Sequence, residues 1–383
     1  MLTQTLAIFL DAYRYLNNRR LFWITVILSG VVVAAFGAVG IDAEGVTILH
    51  WHVYPYLTSA LLSPGAFYKF VYVSFGVDVW LAWAASILAL ISTAGIIPEF
   101  ISQSSIEITL AKPISRTRLF LTKYFSGLLF AALQVTVFSL ASFFVIGVRG
   151  GEWEPRVFLA IPLVILFFSY LYSVSALIGV LTRSTIASLL GVGLFWFVLF
   201  AANTTESLYL VIRTETEQRL KAVEARIAST ESGAEAAAPG PGGRGVLAAI
   251  AEAAAQRDGG PEDLPRLRER RDALAREAAN YGRGHDIALT VKTFLPKTSE
   301  TMDLLKRELV SMSDLAAIAG GAEDRPRRRN RRDPDGERIE ASAAQEVERI
   351  RRGRSVAWIV ATSAAFEGLI LGIAAWRFSR RDY

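Results

Sequence analysis

The chain has 383 residues, of which 52% are hydrophobic and only 20% charged, too apolar a balance for an ordinary soluble domain of this size. It has no cysteine and three histidines, which excludes a disulfide framework, thiolate metal sites and cysteine nucleophiles, and leaves little material for histidine chemistry. The net charge is +5, yet residues 204–353 hold 26 basic and 26 acidic residues; the excess therefore sits on the apolar remainder, where it reads as a topology signal rather than as affinity for nucleic acid.

Residues 2–20 place Leu6, Phe9, Leu10, Tyr13 and Leu16 at helical spacing among polar residues and arginines. This predicts an amphipathic helix lying in the membrane interface, with an extension of the first span as the alternative. Six segments then have the roughly 20 apolar residues that a crossing helix needs: about 21–40, 79–97, 126–148, 157–181, 184–203 and 356–376, five of them without a charge. Pro162 falls in the fourth, where a helix bundle tolerates it if neighbours satisfy the freed carbonyl. The first is too long for a cleaved signal peptide and no small-residue cleavage site follows it.

Between the first two spans, residues 41–78 are semi-polar and aromatic, with Trp51, Tyr54, Tyr56, Phe67, Tyr68, Phe70 and Tyr72. Aromatic side chains of this kind sit at headgroup depth, and Pro64 and Lys69 argue against a further span, so an extracytoplasmic cap is expected. His50 and His52 offer two imidazoles without a third ligand, a poor metal site, and no metal is expected.

Loop charges orient the chain. Arg14, Arg19, Arg20, Lys112, Arg116, Arg118, Lys123, Arg183, Arg377, Arg380 and Arg381 fall on one side, against Lys69, Arg149 and Arg156 on the other. The positive-inside rule then puts both termini in the cytoplasm. Arg349, Arg351, Arg352 and Arg354 disagree, but long translocated segments obey that rule poorly.

Residues 105–124 read SIEITLAKPISRTRLFLTKY. Pro113 breaks any helix begun near Ser105, and Ser115 is placed to cap a second one. A helix, a turn and a helix beside the membrane make a docking element for a soluble partner, with a plain connecting loop as the equal alternative.

Residues 204–353 differ from the rest. Residues 215–228 and 264–279 are charged helical patterns, 232–245 (with APGPGG) reads as linker, and 320–338 (with RPRRRNRRDPDGER) is disordered by composition. Residues 287–309 are more apolar, broken at Leu295–Pro296, with 301–309 amphipathic. The expectation is helical hairpins joined by flexible linkers outside the membrane plane, and a solvated linker rather than a nucleic-acid site for the arginine run 325–332. The domains so divided are 1–203, 204–353 and 354–383.

The chain has no GxxxxGK[ST] sequence, hence no P-loop of its own and no enzymatic role is expected. Glu367 lies mid-span in AAFEGLILG. A carboxylate there costs several kcal/mol unless protonated or partnered. It is either a pathway residue or a carboxyl hydrogen-bonded to a neighbouring hydroxyl such as Ser86, Ser92, Ser173 or Tyr170.

At the 105–124 loop the chain resembles the permease subunits of type-2 ABC exporters. Glu107, Thr109, Leu110, Lys112, Pro113, Ile114, Ser115, Arg116, Phe120 and Lys123 match that family's Glu-x-Thr-Leu stretch, its Lys-Pro-Ile-Ser-Arg-like turn and the start of span three. The end, Trp376-Arg377-Phe378 with Arg380-Arg381-Asp382, is similar too. The likeness covers residues 1–203 and 355–383.

The expected fold is an all-α membrane protein with six transmembrane helices, an amphipathic N-terminal interfacial helix and a large helical, partly disordered insert between helices five and six, and the resemblance implies the bacterial cytoplasmic (inner) membrane. It implies a second permease copy, identical or not, and a separate ATPase subunit that carries ATP, with no cofactor on this chain. Glu107, Thr109, Lys112, Pro113, Ser115 and Arg116 would couple to that ATPase, and residues 293–309 would be the remnant of an apolar hairpin before span six. The enlarged insert departs from the family and leaves the substrate open. Two other readings stand beside this one: a proton-coupled transporter using Glu367, and a non-transporting scaffold.

Overall fold

The computed structural model describes residues 20–49, 51–54, 58–60, 62–102, 115–236, 264–310 and 334–380. The interfacial helix expected at 2–20 (but for Arg20), the Tyr56 and His50 positions, the whole 105–114 loop, the Gly/Pro-rich linker beyond residue 236 and the arginine run 325–332 lie outside these. Helices dominate, and among the described residues six are long and apolar enough to cross a membrane: Arg20–Ala38, Pro64–Ile101, Arg116–Gly150, Pro155–Thr182, Thr185–Ser232 and Val356–Ser379. The chain divides into two compact units, described separately.

In the first unit, α1 (Arg20–Ala38) runs directly into a three-stranded antiparallel sheet, β1 (Val39–Asp42), β2 (Gly45–Ile48) and β3 (Trp51–Tyr54). This corrects an all-helical expectation. Valine, isoleucine and threonine alternate around an Asp42–Gly45 turn, in which the Asp42 carboxylate accepts from the Glu44 and Gly45 amides, a strand-and-turn signal hidden among the aromatic residues. Gly45 takes φ 134°, open to glycine alone.

The second helix, α2, starts fifteen residues before the sequence places it. Pro64 stands in its first turn, where its missing N–H costs nothing, and the Ser63 hydroxyl accepts from the Ala66 amide as a cap. Both residues that argue against a helix there are therefore compatible with one. α2 passes from Pro64–Val71 through a wide, i+5-bonded segment, Tyr72–Ala85, into Ser86–Thr93, and after a turn into Ile96–Ser102. α3 (Arg116–Gly150) opens on Ser115, whose hydroxyl accepts from the Arg118 amide, and stops at Gly151 with φ 72°. A 3-10 turn, Pro155–Leu159, precedes α4 (Ala160–Thr182); Pro162 falls in the first turn of α4 and breaks nothing.

α5 (Thr185–Ala236) is a single 52-residue helix. The composition change at residue 204 is real, but charged helix formers follow apolar ones without a breaker, so the helix continues across the expected boundary. Its early part belongs to the first unit, exposing Ile186, Leu190, Leu194 and Phe197 and stacking Trp196 on Trp83. Also in this unit are α7 (Thr298–Leu309) and α9 (Val356–Ser379), the latter capped by Ser355. α7 buries Met302, Leu304, Leu305 and Leu309 against α4 and the wide segment of α2. Residues 293–310 thus pack with the apolar helices rather than with the charged insert that surrounds them in sequence.

The second unit holds the remainder of α5, α6 (Leu264–Thr293, up to Lys292) and α8 (Pro334–Arg352). Its core is small: Val223, Ile227 and Leu267, with Leu264 and Leu274 against them. Ala343 and Val347 are the buried positions of α8. Arg268–Glu231 at 2.7 Å and Arg213–Asp286 at 4.0 Å link α6 to α5 across the surface.

Candidate functional site

Inside the first unit, α9 packs against α3 and α4, and Glu367 points into that seam. Its Oε1 accepts from the Tyr124 hydroxyl at 2.8 Å and its Oε2 from the Ser169 hydroxyl at 2.9 Å. Neither partner is among the hydroxyls named from the sequence; α3 and α4 present these two because Tyr124 and Ser169 face α9 at the depth of Glu367. Each hydroxyl also reaches a backbone carbonyl: Tyr124 that of Ser169 at 3.0 Å, and Ser169 that of Leu166 at 2.8 Å. A hydroxyl has one proton. The seam therefore holds fewer hydroxyl protons than acceptors.

Packing fixes this node. Tyr124 stacks on Tyr172 at 5.1 Å, and Tyr172 on Phe168 at 5.6 Å. Gly127 makes the stack possible, because a Cβ there would lie 2.4 Å from the Tyr172 ring. One turn before Glu367 on α9, the Ser363 hydroxyl accepts from the Lys297 amide at 2.9 Å. The Lys297 ammonium is itself fully buried: it donates to the Thr293 and Leu295 carbonyls at 2.7 and 3.1 Å and sits 4.7 Å over the Trp358 ring. The buried Tyr170 hydroxyl lies near Ser363 and Thr301 without a hydrogen bond of normal geometry. Polar side chains thus follow α9 for more than a turn, from Lys297 to Glu367, in a unit whose outer faces are apolar.

Two further residues carry chemistry that the sequence pattern hid. Gln134 on α3 is 2% exposed, and neither of its amide atoms has a hydrogen-bond partner among the described residues. It lines a small cavity with Ser86, Ala89, Ala131 and Phe168. An uncharged residue in an apolar run gives no signal in a hydropathy reading. Lys306 on α7 bridges two carboxylates, Asp78 at 2.9 Å and Asp303 at 3.1 Å. Burial pushes its pKa down, but Asp303 and Asp78 outweigh that and hold it above the ordinary lysine value. Its i,i+3 pairing with Asp303 is legible in the sequence, whereas Asp78 is brought to it by the fold.

At the other end of α9 the Arg116 guanidinium donates to the Ser379 carbonyl at 3.2 Å, occupying one of the orphan carbonyls of that helix terminus. Lys123 sits 5.1 Å over the Phe100 ring. Of the residues expected to couple to an ATPase, Ser115 and Arg116 stand together at the start of α3, and Glu107, Thr109, Lys112 and Pro113 lie outside the described residues. On the hairpin, His52 lies 3.2 Å from Asp42, whose carboxyl is held below the usual range by the Glu44 amide and by His52. Among the described residues no group of three or more histidine and carboxylate side chains is arranged to hold a metal ion.

No family model, no curated protein and no solved structure matches the chain.

Proposed function

We propose that the chain is a multi-pass protein of the bacterial cytoplasmic membrane and the permease subunit of an ATP-binding cassette exporter. Two such subunits, identical or not, form the translocation pathway, and a separate ATPase docks below. The observation that carries the membrane half of this reading is the set of long apolar helices among the described residues, three of which, α3, α4 and α9, enclose a polar seam, an arrangement that lipid stabilises and water does not. The transport half rests on the loop resemblance at Glu107, Thr109, Lys112, Pro113, Ser115 and Arg116. In this reading both termini are cytoplasmic, six spans cross the bilayer and residues of the insert lie on the far side.

The mechanism follows from linkage: ATP binding favours one arrangement of the ATPase pair, and contact at the loop biases the spans between two arrangements. The permease supplies differential contacts and no bond-making. Purification of the tagged chain in mild detergent from its native host tests this. A stoichiometric P-loop ATPase that is lost on Arg116→Glu supports it; a preparation free of any ATPase overturns it. Because Arg116 also holds the Ser379 carbonyl, Arg116→Gln is the control for helix-end loosening without charge reversal.

A specific observation favours a second reading, a proton-coupled transporter. Glu367 is held by hydroxyls rather than by cations, so it can exchange a proton without breaking an ion pair. Glu367→Gln that keeps full transport removes this reading; transport that requires a pH gradient and is lost in that variant promotes it.

A further inference from the structure

The hairpin that follows α1 in the first unit is polarised along its length. Its outer turn carries charge: His52 lies 3.2 Å from Asp42 and 3.4 Å from Glu44, whose side chain is 79% exposed. Its inner end is apolar and uncovered. Ile48, Leu49 and Trp51 are 41%, 64% and 76% exposed, whereas Val39, Ile41 and Val46 of the same sheet pack against the core. Leu49 takes φ 59°, the left-handed region where glycine or asparagine is usual and leucine is strained. Neither the turn geometry nor packing within the chain calls for a leucine at this tip.

The fold fixes the level of that tip. The Leu49 amide donates at 2.8 Å to the carbonyl of Ala38, the last residue of α1, and Ile48 stands opposite Val39 in the sheet. α1 has 19 residues, ~28 Å at ~1.5 Å per residue, against ~30 Å for the hydrocarbon core of a bilayer. Trp23, Ile24, Ile27 and Val31 are exposed along it. A bilayer that surrounds α1 therefore ends where the hairpin tip lies. The charged turn begins three residues further along β1, at Asp42, ~10 Å farther out.

We propose that Ile48, Leu49 and Trp51 seat in the lipid headgroup layer and anchor the end of α1 there. The inference rests on the membrane reading above. Lipid is the occupant because the tip is level with the end of the helix that lipid surrounds, and because tryptophan and apolar side chains favour that depth while the charges stand beyond it. Arg149 adds a cation beside the same strand. It is exposed, and its Nε donates at 3.2 Å to the Tyr68 hydroxyl, which in turn donates to the Val39 carbonyl at 2.6 Å. A guanidinium at this level suits a lipid phosphate.

The chain has no cysteine, so single-cysteine variants of the full chain need no background changes. Ile48→Cys, Leu49→Cys, Glu44→Cys and Ile27→Cys are each given a nitroxide spin label and reconstituted in phosphatidylcholine vesicles. Power saturation then measures collision with three relaxants: oxygen, which concentrates among acyl chains, a nickel-chelating lipid headgroup, and an aqueous nickel chelate. The expected result is strongest relaxation by the nickel lipid at 48 and 49, by the aqueous chelate at 44 and by oxygen at 27. Two tip variants are used so that either one decides if the other does not fold. Relaxation at the tip by the aqueous chelate alone overturns the proposal in favour of water. Relaxation there by none of the three overturns it in favour of a covering protein such as a second copy. Ile27 is the separate check: if oxygen fails to relax that label, the membrane reading itself has failed.

Discussion

Two carboxylates, one half-buried and one buried, divide the molecule. Glu367 in the first unit is met by two neutral hydroxyls; Glu206 in the second is met by a lysine and an arginine. Their partner sets make them different devices. A carboxylate between two cations is committed to its charge. A carboxyl between hydroxyls has partners that can turn, so either protonation state finds hydrogen bonds. The difference teaches that partners distinguish the two sites: Glu206 ties three chain segments together through charge, and Glu367 is met by neutral hydroxyls.

That contrast can be broken most forcefully at Glu206. Glu206→Gln removes the charge that Lys292 and Arg354 share, and is expected to cost about 3–5 kcal/mol. Proteolysis and thermal unfolding of the second unit measure it, and a loss below ~1 kcal/mol would show the cluster to be solvated rather than buried. Tyr124→Phe removes one of two donors from Glu367 and is expected to cost about 1.5–3 kcal/mol, with Glu367→Gln milder because an amide keeps hydrogen bonds to both hydroxyls. If Glu367→Gln proves as damaging to stability as Glu206→Gln, the two sites are alike and the distinction fails. Gly127→Ala drives a methyl into the Tyr172 ring, with an expected cost of about 1–3 kcal/mol and a loosened tyrosine stack, readable in near-ultraviolet circular dichroism.

The smallest effect is expected at Lys306, which sharpens the comparison by adding a third charge arrangement, one cation between two carboxylates. Its pKa is raised above the ordinary lysine value of 10.5 in the folded chain. The stability it contributes is therefore fully present below that value and is lost as pH rises through the folded pKa. About a third of the Lys306 and Asp78 side chains is exposed, so the effect is worth ~1 kcal/mol or less. Thermal unfolding in detergent should decline on alkaline titration in the wild-type chain and show a smaller decline in Lys306→Met.

What the sequence made legible follows from what apolar runs can encode. Uncharged stretches of about 20 residues mark the long helices, and Ser115 before a helical run marks a cap, because both signals are local. The hairpin at Val39–Tyr54 was masked by aromatic residues that suit a headgroup cap equally well. The early start of α2 was masked by reading Pro64 as a breaker when its position made it an initiator. Glu367 stands out as a single acid in an apolar span, whereas its partners do not: serines and tyrosines are frequent in these helices, and which of them face α9 depends on how α3 and α4 are rotated. Glu206 is hidden for the opposite reason, at the start of a segment so rich in charge that no one residue is conspicuous.

The Arg116–Ser379 contact has a mechanical consequence. Arg116 begins the helix that carries Tyr124 two turns later, and Ser379 ends the helix that carries Glu367. Any pull on the start of α3 is shared with α9, so donor and acceptor travel together and their bond is shielded from that displacement. α4 is tied to the same pair, since Ser169 gives its hydroxyl to Glu367 and lends its carbonyl to Tyr124, so the three helices meet at one node and a disturbance at the start of α3 reaches all of them.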